Sequence, residues 1–470
     1  MGGKPGAINN NSQAAAPEDI ASPFQSPRGV QTPNPFSRKN TSLDLDDYFA
    51  GPRDMQKHSK WPIFMQLHGS ILPKIILPLL AVGAWATAVT LIHMKVSPIN
   101  ISSILLTVLG FVVGLGLSFR SSTAYERYAE GRRYFAQLIL ASQNLGRVYW
   151  VHATERPGEQ GQKDLLTKLT ALNLIVAFGV ALKHKLRFEP YTCYDDVQHL
   201  VAHLDTFAKA ATVDEPDKVH KTLNRNPGFF KSVGEYLGVS FAESNPRKAL
   251  KRAERPLGNL PLEILSYLAG FTDELVANGQ LSVSMHQTMA YNNIMTLNDV
   301  LTGTDRVLST PLPIAYSIAI AQITWVYVIL LPFQLLEPLK GWIAIPGTVA
   351  AAYIILGILF IGREIENPFG RDVNDLPLET FCAQIAADMD VIASRPKRRN
   401  AEWIESTENR VLWPLSQAGW HTWMDRGEER IREAVVHKVE ATFDSLKGVH
   451  NQVHPDEKVG EHKTTTWGHV

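Results

Sequence analysis

No residue between Val96 and Phe119 carries a charge, whereas the positions just after hold Arg120, Arg127, Arg132 and Arg133 interleaved with Glu126 and Glu130. No proline interrupts Phe111–Phe135, which contains the change of character. An uncharged run of about twenty residues is what an α-helix needs to cross a hydrocarbon layer ~30 Å thick. A charged side chain at mid-membrane costs roughly 2.5–3.5 kcal/mol on the insertion scale, so the arginine-rich half belongs in water. The sequence therefore predicts one long helix that spans a bilayer and then protrudes from it.

Within the apolar half, Phe111, Leu115 and Phe119 fall at i, i+4 and i+8, on one narrow face of the helix. Gly110, Gly114 and Gly116 leave bare surface, which in lipid lets neighbouring helices approach closely. Spacing alone supports two readings of the bulky stripe: a face that packs or meets lipid, or the wall of a pore. Copies of the helix around an axis would present rings of apolar side chains, a constriction that gates by dewetting.

Four spans are predicted, over residues 71–93, 101–119, 313–336 and 342–362, and none of the last three contains a residue charged at neutral pH. Lys and Arg are frequent before the first span, after the second and after the fourth, and nearly absent from the two short links, so both termini are expected in the cytosol. Residues 120–310 read as a cytosolic, helical part. Its apolar stretch Leu169–Leu182 is about fourteen residues long, short for a span and suited to a buried helix. Further helices are expected over Leu262–Ala277, 281–297, 378–392 and 428–446. Residues 1–60, rich in Asn, Ser, Pro and Gly, form a disordered tail by composition, and residues 393–470 a partly helical one. The expected class is an all-α membrane protein whose channel-like domain covers residues 61–392.

Enzyme chemistry is thin: the phosphate-cradling, metalloprotease, nucleophile-elbow and dinucleotide signatures are all missing from the chain. The 46 basic and 46 acidic residues balance, which gives no footprint for nucleic acid. Cys193 and Cys382 are too few for a disulfide framework and are expected as reduced thiols. His199 and His203, four apart beside Asp195, Asp196 and Asp205, offer either a metal site or, the better reading, a solvated helix surface. Asp372, Asp375 and Glu379 suit Ca²⁺ as clustered oxygens, or cap the helix that follows. The basic run from Arg395 to Arg399 is read as a patch for anionic lipid beside the last span.

Three blocks in fixed order carry a family resemblance. Phe119-Arg120-Ser121-Ser122-Thr123-Ala124-Tyr125-Glu126-Arg127-Tyr128 with Gly131-Arg132-Arg133, then Thr310-Pro311-Leu312-Pro313-Ile314-Ala315-Tyr316, then Glu364-Ile365-Glu366-Asn367-Pro368-Phe369-Gly370 with Asn374-Asp375-Leu376-Pro377-Leu378 resemble the signature segments of the bestrophin family. The likeness runs from about Trp61 to Ile392 and is closer to the bacterial, plant and fungal branch than to the animal one. It implies a homopentameric channel, not an enzyme, with one axial pore walled by the second spans. Its neck positions match Phe111, Leu115 and Phe119, and gap-free counting places a cytosolic aperture at Met285. The implied permeant species are chloride and other monovalent anions. A cation-selective channel of the same fold, a non-conducting membrane scaffold and a secondary transporter are the alternatives, and the implied partners are other copies of the chain and membrane lipids. In animal members a contiguous acidic run forms a calcium clasp. Here Asp372 and Asp375 match acidic positions, but Arg371, Val373 and Asn374 replace others, which argues against Ca²⁺ gating.

Overall fold

The structure, a computed structural model, describes residues 65, 69–98, 103–214, 256–339, 341–397 and 399–453. The expected N-terminal tail over residues 1–60 lies outside them. Helix α1 spans Leu72–Lys95 and carries Pro73 in its first turn, where a missing N–H costs nothing because that turn has no partner for it. Helix α2 spans Ser103–Arg147 and runs into a π-helical turn at Val148–His152. Then follow α3 (Glu159–Leu186), α4 (Asp195–Val201), α5 (Phe207–Asp214), α6 (Leu260–Ala277) and α7 (Ser284–Ser309). Helix α8 (Ile314–Leu335) and α9 (Ala344–Glu364) are joined through a 3-10 turn at Gly341–Ile343, and α10 (Leu378–Ala393), α11 (Asn400–Ile404), α12 (Trp420–Arg426) and α13 (Glu428–Val453) complete the chain. Among the described residues there is no strand.

Helix α2 organises the molecule. Its 45 residues extend about 68 Å at 1.5 Å per residue, roughly twice a bilayer core. The apolar half contributes Val113 and Leu117 to a core shared with Ile75 and Val82 of α1, Ile320 and Val328 of α8, and Leu356 and Leu359 of α9. The polar half contributes Phe135, Leu138 and Leu145 to a second, larger core with α3, α6, α7 and α10. One uninterrupted helix thus belongs to both cores, as the sequence led us to expect.

Five helices, not four, are long and apolar enough to cross a membrane, because α3 qualifies alongside α1, α2, α8 and α9. Burial separates it from the others: 67% of its most apolar stretch lies inside the protein, against 22–28% for the rest. Leu172, Ile175, Phe178 and Leu182 pack beneath α6 and α10. The ends of α1, α8 and α9 fall within a few residues of the expected apolar segments, α2 runs on to Arg147, and α7 begins later and ends later than the expected 281–297.

Helix α7 lies antiparallel along the polar half of α2, with Arg306 bonded to Glu130 and Gln137 donating to Asp299 at 3.2 Å. Close approach is possible because Gly303 sits beneath the Tyr134 ring, where a Cβ would come within 2.2 Å of the ring carbons. Gly303→Ala is therefore expected to force the helices apart and cost roughly 1–3 kcal/mol, the usual penalty of overpacking. Thermal unfolding of the purified variant checks this, and an unshifted transition would contradict it. Of the membrane glycines, Gly110 faces Tyr327 and Gly116 faces Ile320, both on α8, while nothing lies within 4 Å of a Cβ at Gly114.

Candidate functional site

The two faces of the apolar half of α2 differ sharply. Val113 and Leu117 are 4% and 3% exposed, whereas Phe111, Leu115 and Phe119 are 72%, 47% and 59% exposed. Ile104 and Val108 are also exposed and extend the same face upstream at helical spacing. The subunit leaves a continuous apolar stripe on its longest helix uncovered. Sequence reasoning found its lower three positions and missed the upper two, though the i, i+4, i+7 recurrence was there to read.

Below the stripe, two arginines fasten the helix where it leaves the apolar core. Arg120 is buried and lies 3.6 Å from the Glu366 carboxylate. Arg127 donates Nε to the Glu366 carbonyl at 3.0 Å, one guanidinium nitrogen to the Val307 carbonyl at 2.5 Å and the other to the Thr310 carbonyl. Those carbonyls lie where α7 ends and where α9 gives way to its following loop, so one side chain ties together three blocks far apart in sequence. Charged guanidinium bonds to carbonyls are among the stronger hydrogen bonds, and Arg presents several in a fixed fork. Gly131 lets Phe369 and Leu376 of that loop approach, with ring atoms 3.1 Å from where a Cβ would stand.

Met285 is 66% exposed in the first turn of α7, at the end far from the membrane core. Next to it the His286 ring stacks on His152 with centroids 4.0 Å apart, which joins the start of α7 to the end of α2. Burial lowers the His152 pKa, and the positive surroundings of His286, Lys397 and Arg147 add to the effect. Nearby, Trp150 donates to the Arg395 carbonyl at 2.7 Å. The basic run that begins at Arg395 thus sits at the distal end of α2 and not beside the last span, because α10 carries the chain away along α2 through Gln143–Asp388 at 2.8 Å. Its reading as a patch beside the membrane is corrected accordingly.

The carboxylates of the acidic loop after α9 are engaged within the protein. The Asp372 carboxylate is exposed and faces Lys74 at 3.2 Å, and Lys74 also bonds Glu364 at 2.5 Å. The Asp375 carboxylate is largely buried and accepts the Asp372 N–H at 2.6 Å. One carboxylate is paired with an ammonium and the other with a backbone N–H, so as it stands this donor set does not offer the six to eight oxygens that Ca²⁺ takes. Neither does Asp375 cap α10, whose N-cap is Pro377 without a side-chain bond. Among the described residues no cluster of three or more His, Cys, Asp or Glu could hold a metal. His199 lies on α4 and His203 in the turn beyond it, both exposed, while Asp196 is buried against α3 and does not join a solvated surface.

Burial, with Asp372 and Glu364 nearby and only partly opposed by the Asp372 N–H, pushes the Asp375 carboxyl up to about 7. An unfolded Asp releases its proton near 3.9, so between about pH 4 and 7 the folded protein holds a proton that the unfolded chain has lost. The contribution is complete below pH ~4 and disappears as pH rises through about 7. Asp375→Asn, which keeps the shape but cannot ionise, is expected to melt at a temperature less dependent on pH over that interval. Parallel melting curves for both proteins across the interval would contradict this.

Residues 53–391 match the family model described as bacterial/fungal bestrophin protein. A Synechocystis sp. protein named as a voltage-dependent anion channel-forming protein is 30% identical over 335 residues, 71% of this chain and 92% of that protein. One from Nostoc sp. with the same name is 29% identical over 348 residues, 74% of this chain and 96% of that protein. A solved membrane-protein structure superposes with a TM-score of 0.50 at 22% identity, covering 69% of this chain and all of the other.

Proposed function

This chain belongs to the bacterial and fungal bestrophin family, and from that premise we propose that it assembles as a homopentamer around one axial pore that conducts chloride and other monovalent anions. The observation that carries the proposal is the exposed stripe of α2. Ile104, Val108, Phe111, Leu115 and Phe119 lie uncovered on a helix whose other face is locked into the subunit. Symmetric copies give each such face the same environment around a closed axis. Rings of Phe111, Leu115 and Phe119 then form the neck, where weakly hydrated anions pass more readily than small, strongly hydrated cations. The anion-channel names of the Synechocystis and Nostoc relatives agree with this reading.

Four helices cross the bilayer in this account: α1, the first half of α2, α8 and α9. Helix α3 stays in the cytosolic body, where protein already covers 67% of its most apolar stretch and Lys168, Lys183 and His184 are buried with polar partners. Both chain ends lie in the cytosol. Met285 forms the cytosolic aperture, about 50 Å beyond Phe119 by the rise of the α2 helix. Arg147 and Lys397 near that mouth favour approach of anions. Asp372 and Asp375 hold the loop after α9, and calcium has no part in gating. The reading is tested by reconstituting the purified protein in chloride-loaded vesicles and measuring its oligomeric mass. Chloride efflux from a pentamer is expected, and tight vesicles containing correctly assembled protein would overturn it in favour of a scaffold or a coupled transporter.

A further inference from the structure

A cleft of about 630 Å³ opens between the start of α1, the cytosolic end of α9 and the part of α2 just below its apolar half. One wall is apolar: Ile354, Ile358 and Ile361 lie at i, i+4 and i+7 of α9, and all three are exposed. The most apolar stretch of α9 is only 28% buried, so this wall faces the bilayer in the four-span topology. The opposite end is polar, with Tyr125, Tyr128 and Glu364. Neither tyrosine hydroxyl has a hydrogen-bond partner among the described residues, although Tyr128 is half-buried. Beside Glu364 stands Lys74, which also faces Asp372, so these three side chains set an ammonium next to two carboxylates at the rim.

We propose that this cleft binds a zwitterionic phospholipid of the cytosolic leaflet, with one acyl chain along Ile354, Ile358 and Ile361 and the headgroup between the tyrosines and the Lys74–Glu364–Asp372 rim. The charges select the headgroup. A phosphate finds the Lys74 ammonium and two phenol donors, and a headgroup amine finds the carboxylates and aromatic faces, which attract cations. Two carboxylates flank Lys74, so a headgroup that brings an amine as well as a phosphate finds partners here that an anionic headgroup without an amine does not. Tyrosines at the water boundary also suit the level where headgroups lie. The inference rests on the membrane topology proposed above and not on ion selectivity.

The test uses the full-length protein in vesicles of equal dioleoyl-phosphatidylethanolamine and dioleoyl-phosphatidylglycerol, followed by native mass spectrometry of the extracted assembly. Retention of the ethanolamine lipid, up to one per subunit, is expected. The double variant Tyr125→Phe/Tyr128→Phe is expected to lower retention about tenfold, which corresponds to about 1.4 kcal/mol. Ile358→Trp, which fills the acyl wall, is expected to act likewise without changing the mass of the assembly. Equal retention of both lipids, or retention unaffected by either change, would reduce the cleft to ordinary lipid contact and overturn the proposal. Dissociation of the assembly by Ile358→Trp would assign the surface to another subunit and overturn it as well. Chloride flux measured on the same preparations separates the two failures. Flux without lipid preference sinks only the lipid site, and lipid preference without flux sinks only the pore.

Discussion

Asp196→Ala is expected to cost about 3–5 kcal/mol of stability, the penalty of leaving a buried charge without its partner. Asp196 accepts from the Lys183 ammonium and lies 2.8 Å from His184 Nε2, and the three side chains are 5–9% exposed. His184 Nδ1 lies 2.6 Å from Glu189, which also pairs with Arg371 of the loop after α9. Arg187 bonds Glu379 of α10 and donates to the Gly370 carbonyl at 3.1 Å. Burial pushes the carboxyls of Asp196 and Glu189 up, but the hydrogen bond each accepts from His184, with Lys183 beside Asp196 and Arg371 and Arg187 beside Glu189, outweighs it and holds both below the usual range. Removing Asp196 leaves the buried Lys183 ammonium without its carboxylate and takes one of two carboxylate partners from His184, and it loosens the tie between the cytosolic body and the last span. Unfolding of the purified protein, followed by far-UV circular dichroism, measures the loss. Asp196→Asn, which keeps an acceptor, is expected to lose less. A change within ~0.5 kcal/mol for the alanine variant, the range of ordinary surface substitutions, would show that the network is not coupled to folding.

Leu115→Ala is expected to raise current several-fold while leaving the assembly intact. Leu115 is the middle of the three proposed neck positions and its side chain makes no part of the subunit core, so truncation leaves no cavity in that core. It shortens the apolar barrier and widens it, which lowers the cost of keeping the neck wet. Leu117→Ala is the matched control. Leu117 is 3% exposed and packs between helices, so its truncation is expected to destabilise by roughly 2–5 kcal/mol without opening the path. Equal currents from wild type and Leu115→Ala, recorded with Leu117→Ala alongside, would remove the neck from α2.

Much of this architecture was legible because its causes are local. The change from uncharged to arginine-rich sequence at Phe119 and Arg120 marks where α2 leaves the apolar core, and the bulky stripe follows from residues four apart. Other features depend on residues that meet only after folding. Nothing adjacent to Arg127 announces that it holds the Thr310 and Glu366 carbonyls, each about two hundred positions away. Asp196 looked like part of a solvated helix because its partners Lys183 and His184 belong to another helix. The basic run from Arg395 was placed by its nearness in sequence to the last span, whereas α10 carries it to the far end of α2. Helix α3 has the length and composition of a span, and it is burial, 67% against 22–28%, that sets it apart from the other four. The acidic positions Asp372 and Asp375 are neighbours in sequence, yet their carboxylates point to different partners.

Single-channel recording of the purified protein in a planar bilayer under a KCl gradient tests the central claim most directly. The account predicts discrete openings whose reversal potential lies near the chloride equilibrium value, with larger unitary current in Leu115→Ala and no dependence on free Ca²⁺. A reversal potential near the potassium equilibrium value, or silence from correctly assembled pentamers, would contradict it.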